Sequence, residues 1–466
     1  MQYARKLAWQ NLDLKYRSSI AHQLARYALS LSYKSLPPEV IHQGKRCVLD
    51  ALGCAIGAYD APGRPICEAV VQELGGPDEA TMFGSGIRTS ATNATLVNSF
   101  LVRFLDYNDI GGGGHNSDAI SSILAVSERE NAEGRDFLTS LVISYELGAR
   151  FKESTEGFSF KEKGWCPDIR GGLNVPPALG KLMGLNETQI ANAIGICASQ
   201  SLPLGILDAD REENVMTKNL RFGFVSYNAI LSCMLAKKGF TGPVRVVEGD
   251  SGLCQAIFQG KMDLERFVEF SGWRMLQTRH KSMCANAGSQ GHISATLSIV
   301  KEQDLMPEEI AEVKIKTTIR ESQHTTTFAK KYPRNAESAD HSAHYANAIA
   351  IKEKNFGPES FDPKYFTDPV VLDLIEKITV EPNSDIPNWG GISEITTKDG
   401  RRFQKRVDVS HGFGNDPLTD EELENKFSEM ATKYMSKKKI QKIFDLIWNI
   451  EKLNDIGELT KMMSFN

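Results

Sequence analysis

The 466-residue chain lacks the patterns typical of membrane or exported proteins. No segment approaches the roughly 20 apolar residues of a membrane-spanning helix, and the N-terminal stretch has no apolar run of signal-peptide length. Its eight cysteines include no C-x-x-C pair, which argues against a zinc ribbon, a redox pair or a disulfide framework. We therefore expect a cytoplasmic protein with reduced, mostly buried cysteines and no membrane partner.

The chain also lacks a surplus of positive charge. Its 54 basic and 59 acidic residues give a formal net charge of -5, so nothing in the bulk charge attracts nucleic acid. The lysine run at 437–439 is interpreted as a solvated helix face rather than a nucleic-acid patch. An anionic ligand would need a local cluster of cations.

Familiar catalytic fingerprints are missing as well. The sequence has no G-x-G-x-x-G or Walker pattern, no H-E-x-x-H, and no serine-hydrolase or kinase signature. These absences disfavour a nucleotide-dependent enzyme and a zinc protease, and we predict no metal site.

The periodicity of the sequence predicts a mainly α fold with a smaller α/β domain. Apolar residues recur three and four apart up to about residue 258, whereas alternating, strand-like segments appear after about residue 260. Asp399-Gly400 predicts a hairpin. Asn186 is followed three residues later by Gln189, and Thr419 likewise by Glu422, and both spacings predict the capped start of a helix. Glycines 148 and 239 are predicted helix ends. The predicted domains are helical 1–258, an α/β lid 259–412, and helices 413–466 that pack back on the helical domain.

The segment LDYNDIGGGGHNSDAI (105–120) is the most unusual string in the chain. Glycines leave backbone amides open to an anion, and His115 titrates near neutrality and can exchange a proton. A flexible surface loop with a solvated histidine is an equally good interpretation of the composition alone.

A second string, ADHSAHYANAIAI (339–351), places polar groups at a predicted helix start. Asp340 is predicted mainly to cap that helix, while His341 and His344, three apart, could instead bind a metal or a substrate. Lys218 and Lys281 stand in contexts suited to binding carboxylates, although an isolated lysine is usually a solvated surface group.

Taken together, these strings resemble the MmgE/PrpD family over most of the chain. The resemblance is carried by VLDALGCAIGA (48–58), NATLVNSFLVRFLDYNDI with the downstream HNSD, PPALGKLMGLNETQIANAIGICAS, ADHSAHY and HGFGNDPLTDEELENKF. It implies a large helical domain joined to an α/β lid, usually as a homodimer, that binds a small polycarboxylate between the domains without a metal or an organic cofactor.

The resemblance also implies roles for individual residues. His115 is the expected proton-transfer group with Asp106 beside it, and Lys218 and Lys281 would face each other across the domain cleft and stabilise charge on a substrate carboxylate. The expected catalytic residues are His115, Asp106, Tyr345, Lys218 and Lys281, where Tyr345 would protonate a leaving hydroxyl, and the expected substrate-binding residues are Asp109, Gly113, Gly114, Cys166 and His341.

Three departures from the family pattern concern the substrate. Ile110, Asn116 and Cys166 stand where relatives often carry threonine, proline and histidine, and Cys166 is interpreted as either a pocket residue or an inert buried thiol. The leading prediction is a hydro-lyase that dehydrates a hydroxy-polycarboxylate of the 2-methylcitrate type. A cis-aconitate-like decarboxylase, an epimerase and an inactive binding or assembly homologue are the alternatives.

Overall fold

Helices dominate the first half of the chain, as its apolar periodicity predicts. The computed structural model of the protein describes residues 6, 12–13, 15–111 and 114–465. Its first half contains α1 (Ile20–Ser30), α2 (Pro38–Gly57), α3 (Gly63–Leu74), β1 (Ala80–Thr81), β2 (Arg88–Thr89), α4 (Ala91–Phe104), α5 (Ile120–Arg129), α6 (Gly134–Ser154), α7 (Gly171–Leu182), α8 (Glu187–Gln200), α9 (Thr217–Lys237), α10 (Leu253–Ala256) and α11 (Leu264–Phe267).

Local signals explain several helix ends. The predicted capping box is confirmed at α8, where Asn186 and Gln189 exchange side-chain to backbone hydrogen bonds of 3.0 Å in both directions. Gly239, with a positive φ of 94°, follows the end of α9 as predicted. The prediction at Gly148 is wrong, because α6 continues through it. A side chain there would meet the Asn116 Oδ1 at 2.4 Å, so this glycine permits close packing rather than a helix end.

The second half of the chain adds a small mixed sheet. Its elements are α12 (Gln290–Glu302), β3 (Ile310–Thr317), α13 (Ile319–Thr325), α14 (Phe328–Lys331), α15 (Ala336–Ala339), α16 (Ala343–Glu353), α17 (Pro369–Lys377), β4 (Ile378–Pro382), β5 (Gly391–Thr397) and β6 (Arg402–Val407). The strand order is β4-β3-β5-β6, in which β4 runs parallel to β3 and the other neighbours are antiparallel. The mainly α fold with a smaller α/β part is therefore confirmed.

Strand patterning explains how this sheet is covered. The predicted hairpin is confirmed, since Asp399 and Gly400 lie in the turn between β5 and β6 and Gly400 has a φ of 90°. Buried aliphatic residues on β3 and β5, among them Val313 and Ile395, face helices that include α12, whereas the edge strand β6 is more exposed. Burying each such side chain contributes about 1.5–3 kcal/mol to folding.

The C-terminal helices return to the first half of the molecule. They are α18 (Asp420–Ala431), α19 (Lys437–Trp448) and α20 (Gly457–Met462), and the predicted capping of α18 by Thr419 and Glu422 is confirmed. Helix α18 packs against α2, where Gly53 lets Phe427 and Met430 approach to 3.1 Å from the position of a Cβ. Across the described part of the chain, no helix has both the length and the apolar composition to cross a bilayer.

Candidate active site

Asp106 lies at the centre of a buried cluster of charges immediately after α4. Its backbone adopts a left-handed conformation with a φ of 46°, which aspartate tolerates better than most residues. Arg103, one helical turn earlier, donates to the Asp106 carboxylate at 2.7 Å. Lys281 donates to the Asp106 carbonyl at 2.5 Å and lies 3.1 Å from the carboxylate. Although burial opposes ionisation, Lys281 and Arg103 hold the pKa of Asp106 well below its usual range.

His115 lies beside Asp106 as a neutral imidazole. Its Nε2 is 3.4 Å from the Asp106 Oδ1, and Arg170 donates to its carbonyl at 2.9 Å. Burial, reinforced by the Arg103 and Lys281 cations, holds the pKa of His115 well below its usual range. Because Nε2 faces a carboxylate, we assign the hydrogen to Nε2. The Nδ1 lone pair, which has no hydrogen-bond partner among the described residues, is then free to accept a proton.

Asp109 supports the segment around His115 through hydrogen bonds. The Asp109 carboxylate accepts hydrogen bonds from the Ser117 hydroxyl at 2.7 Å and from the Tyr145 hydroxyl at 2.5 Å. It is buried, and no hydrogen bond joins it to Asp106 or His115. The structure therefore gives Asp109 the geometry of a supporting group for this segment rather than a direct contact for a ligand.

Lys218 connects the helical part to the α/β part. It lies in the first turn of α9, and its fully buried ammonium pairs with the Asp340 carboxylate. It also lies 3.3 Å from the Glu337 carbonyl and 3.3 Å from the His341 Nδ1. Burial, partly offset by Lys218, raises the pKa of Asp340 to about 7. Asp340 can therefore hold or release a proton near neutral pH.

Both predicted lysines reach the same cluster from different parts of the chain. Lys281 holds Asp106 and Lys218 holds Asp340, and the ligand atoms of Asp106, Asp340 and His341 all lie within 4.8 Å of one another. Neither ammonium points into solvent, since both lysines are 0% exposed. The structure thus brings together His115, Asp106, Lys218, Lys281 and His341.

Other predicted residues lie apart from this cluster. The Tyr345 hydroxyl donates to the Ser360 carbonyl and its ring packs on Phe366, with no contact to His115. Burial raises the pKa of the Tyr345 hydroxyl, and the carboxylates that add to this shift are Asp362 and Asp368 rather than Asp106. Asp340 does not cap α16, because the hydroxyl of Ser342 accepts a hydrogen bond from the Tyr345 amide in the first turn of that helix.

Two of the remaining predicted residues, Cys166 and Gly114, border the cluster. Burial raises the pKa of the Cys166 thiol to about 12, which suits an inert thiol near Arg221 and Asp168. Gly114 has a φ of 138° and faces the Arg170 guanidinium, which would lie 3.2 Å from an added Cβ. Gly113 falls outside the described residues.

Sequence reasoning missed several buried cations around the cluster. Arg221 lies 2.6 Å from the Asp168 carboxylate, and Arg170 pairs with the same group. Lys426 of α18 donates to the carbonyls of Tyr107 at 2.8 Å and Lys281 at 2.9 Å, so it braces both segments that flank Asp106. Only Arg103 could have been found from the local sequence, since it stands one helical turn before Asp106 and that spacing favours an ion pair.

Among the residues that the structure describes, two groups of carboxylate and imidazole atoms are close enough to hold a metal ion: Asp106, Asp340 and His341, and Asp208, His324 and His341. In the first group the Lys218 ammonium already lies between two of the ligands. In the second, Lys161 lies 2.9 Å from the His324 Nδ1. A divalent cation would have to displace a lysine in either place, so the chemistry of these groups favours an anion over a metal.

Comparison with known proteins assigns the chain to a family. The profile of the MmgE/PrpD N-terminal domain matches residues 22–265, and that of the MmgE/PrpD C-terminal domain matches residues 283–450. The chain belongs to the MmgE/PrpD family. Asp106, His115 and Lys218 fall within the first match, and Asp340 and His341 within the second.

Full-length relatives from this family share modest identity with the chain. A cis-aconitate decarboxylase-like protein, oryM, of Aspergillus oryzae is 21% identical over 97% of this chain and 98% of its own length. The human cis-aconitate decarboxylase is 24% identical over 96% and 94%, and that of Aspergillus terreus is 21% identical over 98% of both chains. Family and relatives together support a lyase-type activity on this scaffold.

Proposed function

We propose that this MmgE/PrpD protein is a cofactor-independent hydro-lyase that dehydrates a small hydroxy-polycarboxylate of the 2-methylcitrate type. The observation that carries this proposal is a neutral His115 with an unpartnered Nδ1, set within a cluster that also contains two fully buried lysines. A neutral imidazole is a base, and converging ammonium groups suit a substrate with several carboxylates.

The first chemical step would be proton abstraction. His115 would take the proton alpha to a substrate carboxylate, and the electron pair of that C–H bond would move into the carboxylate as an aci-carboxylate. Lys218 and Lys281 would stabilise the added negative charge, because their ammonium groups are already buried and fixed by hydrogen bonds. Asp106 would stabilise the imidazolium that His115 becomes.

The second step would expel water. The electron pair returns from the aci-carboxylate to form the carbon–carbon double bond while the β carbon–oxygen bond breaks. The leaving hydroxide takes a proton from an acid and departs as water. Asp340, whose pKa is raised to about 7, is the acid that the geometry supports best, because Lys218 and His341 hold it within the cluster. Tyr345 would first have to release the Ser360 carbonyl.

Decarboxylation is the second candidate, and it is favoured by the similarity to the cis-aconitate decarboxylases of human and Aspergillus terreus. The same lysines would stabilise the carbanion left when carbon dioxide departs, and an acid would then protonate carbon. Epimerisation uses the same carbanion and returns the proton to the opposite face. An inactive binding homologue would keep the fold and catalyse none of these three reactions.

One experiment separates these outcomes. The protein is incubated in heavy water with 2-methylcitrate, citrate and cis-aconitate, and NMR follows the carbon-bound protons while headspace carbon dioxide is measured. New alkene signals without carbon dioxide support the hydro-lyase, and carbon dioxide release supports the decarboxylase. Exchange of the alpha proton without net reaction indicates an epimerase. No change across the panel would leave the inactive homologue as the better explanation.

We also propose that the protein forms a homodimer. Helix α9 exposes Phe224 and Leu231, which are 51% and 43% exposed and stand seven residues apart on one face. Ile206, which is 61% exposed, lies on the segment before that helix. Contiguous exposed apolar patches, rather than single side chains, mark interfaces, and we infer that Phe224 and Leu231 belong to such a patch. Light scattering should give twice the chain mass of 51.6 kDa, and Phe224→Asp should yield a monomer. A monomeric wild type would contradict the proposal.

A further inference from the structure

A second group of basic side chains, two buried and one half-buried, adjoins the active-site cluster and has no role in the reaction described above. It consists of Lys161, His324 and Lys330, which we call the outer cation cluster. Lys161 comes from the helical part of the chain, whereas His324 and Lys330 come from α13 and α14 of the α/β part. The outer cation cluster therefore lies at the same junction as the pair of Lys218 with Asp340.

Direct contacts join the two clusters. The rings of His324 and His341 meet edge to face with centroids 5.0 Å apart. The His341 Nε2 lies 3.8 Å from the Asp208 carboxylate, which in turn lies 3.8 Å from the Lys161 ammonium. A ligand that occupied the active-site cluster and extended past His341 would reach the outer cation cluster next.

Lys330 is the unusual member of the outer cation cluster. It is 0% exposed, and its ammonium donates to the His324 carbonyl at 2.9 Å and lies 3.2 Å from the His324 Nδ1. Within the described residues, no carboxylate lies within 4 Å of it. Burial lowers its pKa to about 8, so most of these ammonium groups are charged at neutral pH. A buried ammonium without an anion is costly, which indicates a site prepared for one.

Acidic side chains of the chain itself occupy the accessible side of this group. Asp210 lies 3.0 Å from the Lys161 ammonium and 2.6 Å from the His324 Nδ1, and its side chain is 39% exposed. Asp208 lies deeper and is already engaged by Arg221, whose guanidinium is 3.6 Å from its carboxylate. The Asp210 carboxylate therefore occupies, at Lys161 and His324, the position that a substrate carboxylate would take.

We propose that Lys161, His324 and Lys330 form a second carboxylate subsite of the active site, which holds a carboxylate distal to the one held by Lys218 and Lys281. This inference rests on the proposed function for its substrate class and makes the preferred ligand a tricarboxylate. The three residues are positioning residues that select for charge and length, and they take no part in bond breaking.

The inference is tested by binding, which needs no turnover. Isothermal titration calorimetry measures the Kd of tricarballylate, which is a tricarboxylate, and of methylsuccinate, which is the same skeleton without one terminal carboxylate. The wild type should bind tricarballylate more tightly. Lys330→Met should weaken tricarballylate binding by about 10-fold to 100-fold, because it removes one charge-assisted hydrogen bond. The same substitution should change methylsuccinate binding by less than about threefold.

Two further variants control the experiment. Lys161→Met removes a side chain that is 28% exposed and should show the same charge-dependent loss, so it carries the test where Lys330→Met fails to fold. Lys331→Met removes the neighbouring lysine, which pairs with Glu376 on the surface, and should leave both dissociation constants unchanged. Equal losses for both acids, or no loss for either, would overturn the inference. An absence of turnover with any acid would count against the proposed function alone.

Discussion

Replacing Lys281 with methionine should impair both folding stability and turnover. The ammonium is 0% exposed and lies 3.1 Å from the Asp106 carboxylate, so the attraction is about 5 kcal/mol at an effective dielectric constant of about 20. Removing one partner of a buried ion pair typically costs about 3–5 kcal/mol. Because Arg103 still holds Asp106 at 2.7 Å, we expect the lower end of that range. Removing a solvated surface lysine, the usual interpretation of an isolated lysine in a sequence, would cost little stability, and the burial of Lys281 revises that expectation.

The same substitution removes a cation from the place where carbanion charge would develop. Losing one such contact usually lowers kcat about 100-fold or more. Urea unfolding would give the change in the free energy of unfolding, and steady-state kinetics with the active acid would give kcat and KM. Lys301→Met is the matched control, since Lys301 is exposed on α12 and should affect neither quantity. A Lys281→Met protein with normal kcat would refute the anion-stabilising role, and one with unchanged stability would refute the ion-pair reasoning.

Three further predictions concern protons and metals. His115→Ala should lower kcat by about 100-fold to 10,000-fold because it removes the base, whereas His411→Ala, at a side chain 41% exposed, should not; equal kcat in both would exclude His115 from the mechanism. Burial lowers the pKa of His292 and His344 to about 4, below the 6.5 of the unfolded chain. The unfolded state therefore binds more protons than the folded state between pH 4 and pH 6.5. As pH falls through this range, each histidine should reduce the free energy of unfolding by up to about 1.4 kcal/mol per pH unit. Urea titrations at several pH values should show a weaker pH dependence of the free energy of unfolding in His292→Gln. An unchanged pH dependence would count against the role of His292. Activity should survive EDTA, and loss that a divalent ion restores would reverse the metal-free prediction.

Several buried contacts in and around the candidate active site join residues that are far apart in the chain. Lys426 and Tyr107 are separated by 319 positions, and Lys218 and Asp340 by 122. No local pattern records such pairings, because they arise only when packed helices bring the segments together. Sequence reasoning therefore identified Lys218 but neither Lys426 nor the pairing of Lys218 with Asp340.

Local chemistry determined much of the architecture from the sequence alone. Apolar periodicity predicted the helical first half and the strands of the second, and Asn186 and Thr419 marked helix starts because capping requires only residues three positions apart. The string from 105 to 120 and the family resemblance pointed to Asp106 and His115. Both lie within one short segment, so their proximity follows from the chain itself.

Tertiary structure decided what surrounds those residues. It directs the Tyr345 hydroxyl to the Ser360 carbonyl, and it buries Lys330 beside His324. It also sets the protonation of His115, because burial and neighbouring cations rather than residue type lower the pKa of that imidazole. Side-chain direction, solvent exclusion and long-range charge all depend on how the packed elements meet. The residues of the proposed reacting centre could thus be named from sequence, and they stay a prediction, whereas their electrostatic environment could not be inferred without the structure.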